Sequence, residues 1–248
     1  MLAWLTPLFA LTAILYASVG FAGGSTYTAL LVLSGVDARI LPIVSLTCNI
    51  IVASGGVWTF ARAGAIPWRR ALLLLAFSVP AAWLGGRTPI DKDSFVTLLG
   101  WSLLVAGILL LIGSARGASA AGEGRWRYWA GLAVAAPIGF LSGLVGIGGG
   151  IFLAPILHLI RWDDARKVAG TAAIFILANS ISGIFGQMMK LHGSSDLHQA
   201  LDFYPLAIAV IIGGQLGSRF GAKWLPISFI RRLTGVVVLL AALRLLTA

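Results

Sequence analysis

The sequence predicts an all-α integral membrane protein with two inverted repeats of about five hydrophobic segments each and short or broken helices at two glycine motifs. Hydrophobic residues make up 59% of the 248 residues and charged residues only 10%, well below the roughly 25% charged residues of soluble domains. Mean hydropathy is +0.97. Apolar runs fill nearly the whole chain, so no polar block remains for a separate soluble domain.

The apolar runs between charged residues or Gly/Pro punctuation define the individual segments. Their approximate bounds are 3–19, 25–36, 40–60, 71–86, 95–113, 129–146, 151–160, 171–188, 204–218 and 229–247. A helix needs about 20 residues to cross a hydrocarbon core of about 30 Å. The second and seventh segments are too short for that, so we expect half-helices or short tilted helices there.

The two halves of the sequence correspond at an offset of 126 residues. Gly20 corresponds to Gly146, Ser45 to Thr171, and Ser54 to Ser180. Two copies of a five-segment unit explain this correspondence, with an N-terminal membrane repeat over 1–113, a linker over 114–127 and a C-terminal membrane repeat over 128–248.

An odd number of crossings per repeat would invert the second copy relative to the first. With ten crossings, 13 of the 18 Lys and Arg residues fall in loops after the odd-numbered segments. Basic residues concentrate in cytoplasmic loops, so this distribution favours the inverted arrangement and a cytoplasmic linker. The same rule explains the net charge of +10 without a nucleic-acid partner; the partner of the apolar surface is the lipid bilayer.

Each half contains a glycine motif between two apolar stretches, Val19–Gly24 and Val145–Gly150. Glycine disfavours a continuous helix, so a repeated cluster at membrane depth predicts opened backbone. Helix ends exposed there present unpaired N–H groups and the positive end of the helix dipole, which favour a small anionic substrate. Close packing of helices through small residues is the alternative interpretation.

Uncharged polar residues on the neighbouring segments complete the predicted substrate site. Ser45 and Asn49 share a helix face because they are four residues apart. Hydroxyls and amides can replace the hydration shell of an oxyanion, although hydrogen bonds between helices are the alternative role for each. The candidate substrate-binding residues are Gly20, Gly23, Gly24, Ser25, Thr26, Ser45, Asn49, Gly146, Gly148, Gly149, Gly150, Thr171, Asn179 and Ser180.

Catalytic, metal and cofactor sites are not predicted. The chain has no His-Glu-x-x-His motif and no acidic pair within a segment to act as acid and base, so we expect a protein that is not an enzyme. Its one cysteine, Cys48, lies in an apolar segment without a metal or redox partner. His158 is the titratable group best placed for proton coupling, with packing as its alternative role.

Three sequence features resemble the TauE/SafE family of sulfite exporters. They are the run Ser142–Gly150 followed by Pro155, Gly170-Thr171 opening the next helix with Ser180 on it, and the weaker first copy Ala17–Gly24. The resemblance implies a multi-pass transporter of the inner membrane for small sulfur-containing anions such as sulfite or organosulfonates.

We therefore expect a secondary transporter that works by alternating access, with its site near the bilayer midplane between the two glycine motifs. An anion channel of similar architecture is the alternative, and an intramembrane enzyme is a more distant one. Proton or ion coupling, assembly as a homodimer, the direction of flow and the identity of the anion stay open at this point.

Overall fold

The computed structural model describes residues 2–18, 20–115, 125–190, 194–218 and 227–247. Val19 and most of the predicted linker 114–127 lie outside the described residues. All regular elements within the described residues are helices, so the all-α prediction is confirmed. In chain order they are α1 (Leu2–Ala17), α2 (Gly24–Leu33), α3 (Leu41–Arg62), α4 (Trp68–Arg87), α5 (Lys92–Ala115), α6 (Arg125–Val145), α7 (Gly150–Leu159), α8 (Ala165–Met188), α9 (Ser194–Leu201), α10 (Tyr204–Leu216) and α11 (Ile227–Thr247).

The fold is that of a multi-pass membrane protein. Five helical stretches in the described chain are long and apolar enough to cross a bilayer: Leu41–Arg62, Lys92–Ile112, Trp126–Val145, Ala165–Met188 and His198–Leu216. The helices α2 and α7 each contain 10 residues, or about 15 Å at 1.5 Å per residue. They therefore span about half of a hydrocarbon core of about 30 Å.

Two elements differ from the prediction. The helix α8 begins at Ala165 and not at Gly170-Thr171, because the Asp164 side chain accepts a hydrogen bond of 3.0 Å from Lys167 N and caps the helix. Gly170 lies inside α8, where its missing side chain lets the helix pack against the Ala65 carbonyl. The short helix α9 was not expected, since its polar sequence lacks an apolar run.

Two pairs of helices that the predicted repeat would relate pack against each other and run in opposite directions. The helices α3 and α8 form such a pair at the centre of the molecule, and α5 and α11 form another. The close approaches that set these directions are Leu46 with Gly183, Gly56 with Ala173, Gly100 with Leu246, and Gly107 with Leu239.

Two further pairs are parallel and very close. The helix α4 packs on α6, and α1 packs on α10, with backbone against backbone at glycines that leave no room for a Cβ. The approaches are Ser78 with Gly139, Ala82 with Gly143, Ala10 with Gly213, and Ile14 with Gly217. In the predicted repeat, α1 corresponds to α6 and α10 to α4, so the repeat would relate the pair α1–α10 to the pair α6–α4.

Candidate functional site

The two glycine motifs form breaks between helices, and left-handed backbone makes them. The first break, residues 20–23, has φ +83° at Gly20 and +88° at Gly23; the second break, residues 146–149, has +81° at Gly146, +84° at Gly148 and +78° at Gly149. Residues with a Cβ pay about 1–2 kcal/mol for this conformation, and glycine does not. Glycine is therefore what allows the chain to turn into α2 and α7 at these places.

Each break ends in a helix N-terminus with free backbone donors. In α7, the N–H groups of Phe152 and Leu153 both donate to the Gly149 carbonyl, at 3.2 and 3.1 Å. The N–H groups of Gly150 and Ile151 precede the first intrahelical bond and have no acceptor in the helix. The positive end of the helix dipole coincides with these donors, so the position favours an anion.

The two breaks meet at the centre of the molecule. Gly24, the first residue of α2, lies directly against the carbonyl oxygen of Ile147 and the amide of Asn49, and a Cβ on Gly24 would overlap both. Asn49 Nδ2 in turn donates to Ile147 O at 3.1 Å. The α3 side chain Asn49 thus joins the second break to the beginning of α2.

Hydroxyls of the first half satisfy the carbonyls of the second break. Ser45 Oγ lies 2.9 Å from Gly146 O and 3.2 Å from Gly24 O, and it accepts a hydrogen bond of 2.8 Å from Thr28. All of these groups are buried. Ser45 and the Asn49 amide nitrogen therefore make interhelical hydrogen bonds in this conformation, which was the alternative role for both residues.

Three polar residues of α8 behave differently. Thr171 Oγ1, Ser180 Oγ and both amide atoms of Asn179 are buried, and they have no hydrogen-bond partner within the described residues. A buried polar group without a partner costs about 1–3 kcal/mol. Such groups require an explanation, and a ligand or water that binds in another state of the protein is a physical one.

Ser180 lies directly beside the second break. A Cβ built on Gly148 would come 3.3 Å from Ser180 Oγ and 2.8 Å from Asn49 Nδ2. The adjacent residue Asn179 lies one turn before Ser182 and Gly183, through which α8 packs on α4 and α6. Ser180 therefore lies beside the break, and Asn179 is the residue before it on the same packed helix.

Ser142 belongs to the same region, although it is absent from the residues predicted as substrate ligands. It lies on α6, it is buried without a hydrogen-bond partner in the described chain, and its side chain is next to Gly149. The signal that could have identified it is its place in the second motif, four residues before Gly146, where a helix continues into the break.

The other predicted ligands lie outside this cluster. Ser25 and Thr26 hydrogen-bond with the Tyr16 hydroxyl, at 3.3 and 2.8 Å. Gly20 lies against the Phe60 ring. Thr171 is nine residues from Ser180 and so about 13.5 Å away along α8.

Three more glycines of the prediction have close packing contacts. Gly23 lies against Thr12 and Tyr27, Gly146 against Pro42, and Gly150 against Ile176. Buried hydroxyls without a partner in the described chain lie at both breaks: those of Ser142 and Ser180 at the second, and that of Tyr27 at the first.

The space between the breaks is closed. A cavity of about 10 Å³ remains there, which is about enough for one water molecule and too small for an oxyanion. It is lined by Tyr16, Phe21, Ala22, Gly23, Gly24, Ser25, Ile147, Gly150, Ile151 and Ile176. An anion can reach these residues only if the halves move apart.

Comparison with known proteins agrees with a membrane transporter. The model of the family "Sulfite exporter TauE/SafE" matches residues 5–245. The probable membrane transporter protein y4hK of Sinorhizobium fredii is 30% identical over 240 residues, which cover 96% of this chain and 95% of the relative. The probable membrane transporter protein YunE of Bacillus subtilis is 24% identical over 196 residues, with 72% and 68% covered. No solved structure matches the chain.

Proposed function

Since the chain belongs to the sulfite exporter TauE/SafE family, we propose that it is a secondary transporter of a small sulfur-containing anion. The family and the two relatives identify a membrane transporter. The finer proposal is that sulfite, an organosulfonate or a similar anion crosses the inner membrane by alternating access and binds at the second break.

The observation that carries this proposal is the set of buried donors without partners beside the second break. Ser180 and Asn179 have no hydrogen-bond partner within the described chain, and the N-terminus of α7 adds free backbone donors close by. Hydroxyl, amide and backbone N–H groups stabilise an oxyanion without burying a fixed positive charge, which would be costly when the site is empty. A site of this kind can alternate between empty and loaded states.

The helix directions support an inverted relation between the halves. The corresponding helices α3 and α8 run antiparallel at the centre, as do α5 and α11, whereas the pairs α1–α10 and α6–α4 are each parallel. This is the pattern that a two-fold axis in the membrane plane would produce, and such repeats allow two access states by exchange of roles between the halves.

The closed centre favours a carrier over an anion channel. A channel in its conducting state needs a continuous path, whereas the cavity between the two breaks measures about 10 Å³. A carrier must pass through a state in which the midplane site is closed. The closed space beside donors without partners fits such a state.

Flux in proteoliposomes tests the proposal, with radiolabelled sulfite and ethanesulfonate as the transported probes. We expect saturable uptake that is accelerated by the same anion inside the vesicle, because counterflow requires a carrier. We expect Ser180→Ala to lower kcat/KM by at least about ten-fold, the value of one hydrogen bond to a charged group.

Ser54→Ala is the matched control, because Ser54 occupies the position that corresponds to Ser180 in the other half. Its hydroxyl donates to Ile50 O of its own helix at 2.6 Å and is exposed. Flux that does not saturate and shows no counterflow would favour a channel. Equal activity of the wild type, Ser180→Ala and Ser54→Ala proteins would reject the site.

A further inference from the structure

A large cavity opens at one end of the molecule, away from the closed centre. Its volume is about 770 Å³. It lies where the α2–α3 turn, the α4–α5 turn and the C-terminal end of α8 come together. It is lined by residues 35–39, Pro42, Arg87, residues 89–92, Phe95, Leu144, Met189 and Lys190. We call this cavity the vestibule.

The vestibule has an excess of positive charge. Among the described residues, four basic side chains line it (Arg39, Arg87, Lys92 and Lys190), against two carboxylates (Asp37 and Asp91). Both carboxylates accept backbone hydrogen bonds: Asp37 from Arg39 N at 2.9 Å, and Asp91 from Ser94 N at 2.8 Å. No ion pair within 4.0 Å joins a carboxylate to any of the four cations in the described part of the chain.

The opposite end of the same helices is arranged differently. There, the buried carboxylate of Asp163 lies 3.1 Å from Arg70 and 3.3 Å from Lys167, and Lys167 also lies 3.1 Å from Asp164. Two cations at that end, Arg70 and Lys167, are therefore paired with carboxylates of the protein. The cations of the vestibule lack such partners, so they remain available to an anion from solution.

Lys190 is the cation most in need of a counter-ion. It follows the end of α8, and its ammonium donates to the carbonyl of Thr88 at 3.2 Å. Loss of hydration lowers the pKa of Lys190 from 10.5 to about 8. A bound anion would offset this cost of burying the ammonium, because it would supply the opposite charge that the surrounding protein does not.

The floor of the vestibule adjoins the second break. Pro42 and Leu144 line the cavity, and Pro42 packs directly against Gly146. Pro42 therefore lies between the vestibule and Gly146, the first residue of the second break. An anion held above this floor would be the next to enter when the floor opens.

We propose that the vestibule is a second anion site, in which Lys190 and its neighbouring cations hold a small oxyanion before it reaches the second break. The inference takes its ligand class from the proposed function. It adds a site that differs in chemistry from the central one, since the vestibule uses fixed charges and the break uses neutral donors.

Binding to the full-length protein in detergent tests this proposal without relying on transport. The probes are sodium ethanesulfonate and sodium sulfate, added at constant ionic strength while the melting temperature is recorded. An anion that binds the folded protein raises the melting temperature in a saturable way. We expect Lys190→Gln to weaken the apparent affinity by roughly ten-fold, because it removes a charged hydrogen-bond donor.

Two variants make the result specific. Arg62→Gln removes the same charge at the other end of α3, where the guanidinium stacks on Trp58, and we expect unchanged affinity. Ser54→Ala removes an exposed hydroxyl that belongs to neither site, and we expect it to retain the response. Equal affinities in Lys190→Gln and Arg62→Gln, or no response of the wild-type protein, would contradict the proposal that the vestibule is an anion site. A response that Lys190→Gln leaves intact would reject the vestibule but not the proposed function, because the central site would account for it.

A phosphate of a lipid headgroup has the same chemistry as a free oxyanion, so the source must be distinguished. The same isotherm is measured in nanodiscs of phosphatidylcholine and of phosphatidylglycerol. Equal affinity for ethanesulfonate in both supports a free anion. Loss of binding only in phosphatidylglycerol would assign the cavity to an anionic headgroup and contradict the proposal.

Discussion

The two glycine breaks occupy equivalent positions in the two halves, yet their surroundings differ. At the first break, the polar residues Ser25 and Thr26 are hydrogen-bonded by Tyr16, and the Phe60 ring covers Gly20. At the second break, the buried side chains of Ser180 and Asn179 have no partner among the described residues.

Two similar glycine motifs therefore have different hydrogen-bonding surroundings. The first half contributes Ser45 and Asn49, which hold the second break in place by hydrogen bonds to its carbonyls. Ser142 and Ser180 of the second half have hydroxyls without a partner in the described chain, and so does Tyr27 of the first half. Under the proposed function, Ser45 and Asn49 hold the second break and Ser180 binds the anion, so substitutions in the two halves should separate stability from transport.

The largest expected effect comes from adding a methyl group where the two breaks touch. In Gly24→Ala, the new methyl group would overlap the backbone carbonyl of Ile147 and the amide of Asn49. Backbone cannot move aside cheaply, so we expect a loss of stability of about 3 kcal/mol, at the upper end for overpacking. The melting temperature in detergent measures it.

The equivalent change at the second break is the matched comparison. In Gly150→Ala, the methyl group would meet the flexible end of the Ile176 side chain, which can rotate away, so we expect a smaller loss. Gly55→Ala is a neutral control, because the space around a Cβ at Gly55 is open. A melting temperature for Gly24→Ala that matches that of Gly55→Ala would show that the breaks do not touch.

The sequence predicted the positions of both breaks and both short helices, because glycine spacing and the offset between the halves are local signals. It also placed Ser45 and Asn49 on one helix face. It could not predict that these side chains bond to the break of the other half, since that contact joins residues about a hundred positions apart. Long-range packing of α3 on α8 decides which donors are used and which remain free.

The start of α8 shows a signal that was present and overlooked. Asp164, followed by Ala165-Arg166-Lys167, has the composition of a capped helix N-terminus. The prediction instead took Gly170 as the boundary, because glycine usually interrupts a helix. Here Gly170 is retained inside the helix for its close approach to Ala65 O, so a tertiary contact outweighs helix propensity.

A smaller effect is expected from removing the hydroxyl that occupies the first break. Tyr16→Phe deletes the hydrogen bonds to Ser25 and Thr26 while the ring continues to fill its place. We expect stability to fall by about 1 kcal/mol and KM for ethanesulfonate to change less than about two-fold. Ser180→Ala should do the opposite, because removal of a buried hydroxyl without a partner costs little stability. An increase in KM for Tyr16→Phe equal to that for Ser180→Ala would place substrate at both breaks.

The smallest expected effect is the dependence of KM on pH. It tests whether the substrate reaches the second break through the vestibule. Lys190 is charged below its pKa of about 8 and neutral above it, so raising the pH from about 7 to about 9.5 removes one positive charge. The other charged groups lining the vestibule are Arg39, Arg87, Lys92, Asp37 and Asp91. We expect KM for ethanesulfonate, which keeps its own charge over this range, to rise about three-fold, because each lost charge weakens the field that concentrates anions. In Lys190→Arg the charge persists across the range, so the rise should disappear. An equal rise of KM in the wild type and in Lys190→Arg would show that the titrating group is not Lys190. The difference between the two breaks would then rest on their neutral donors alone.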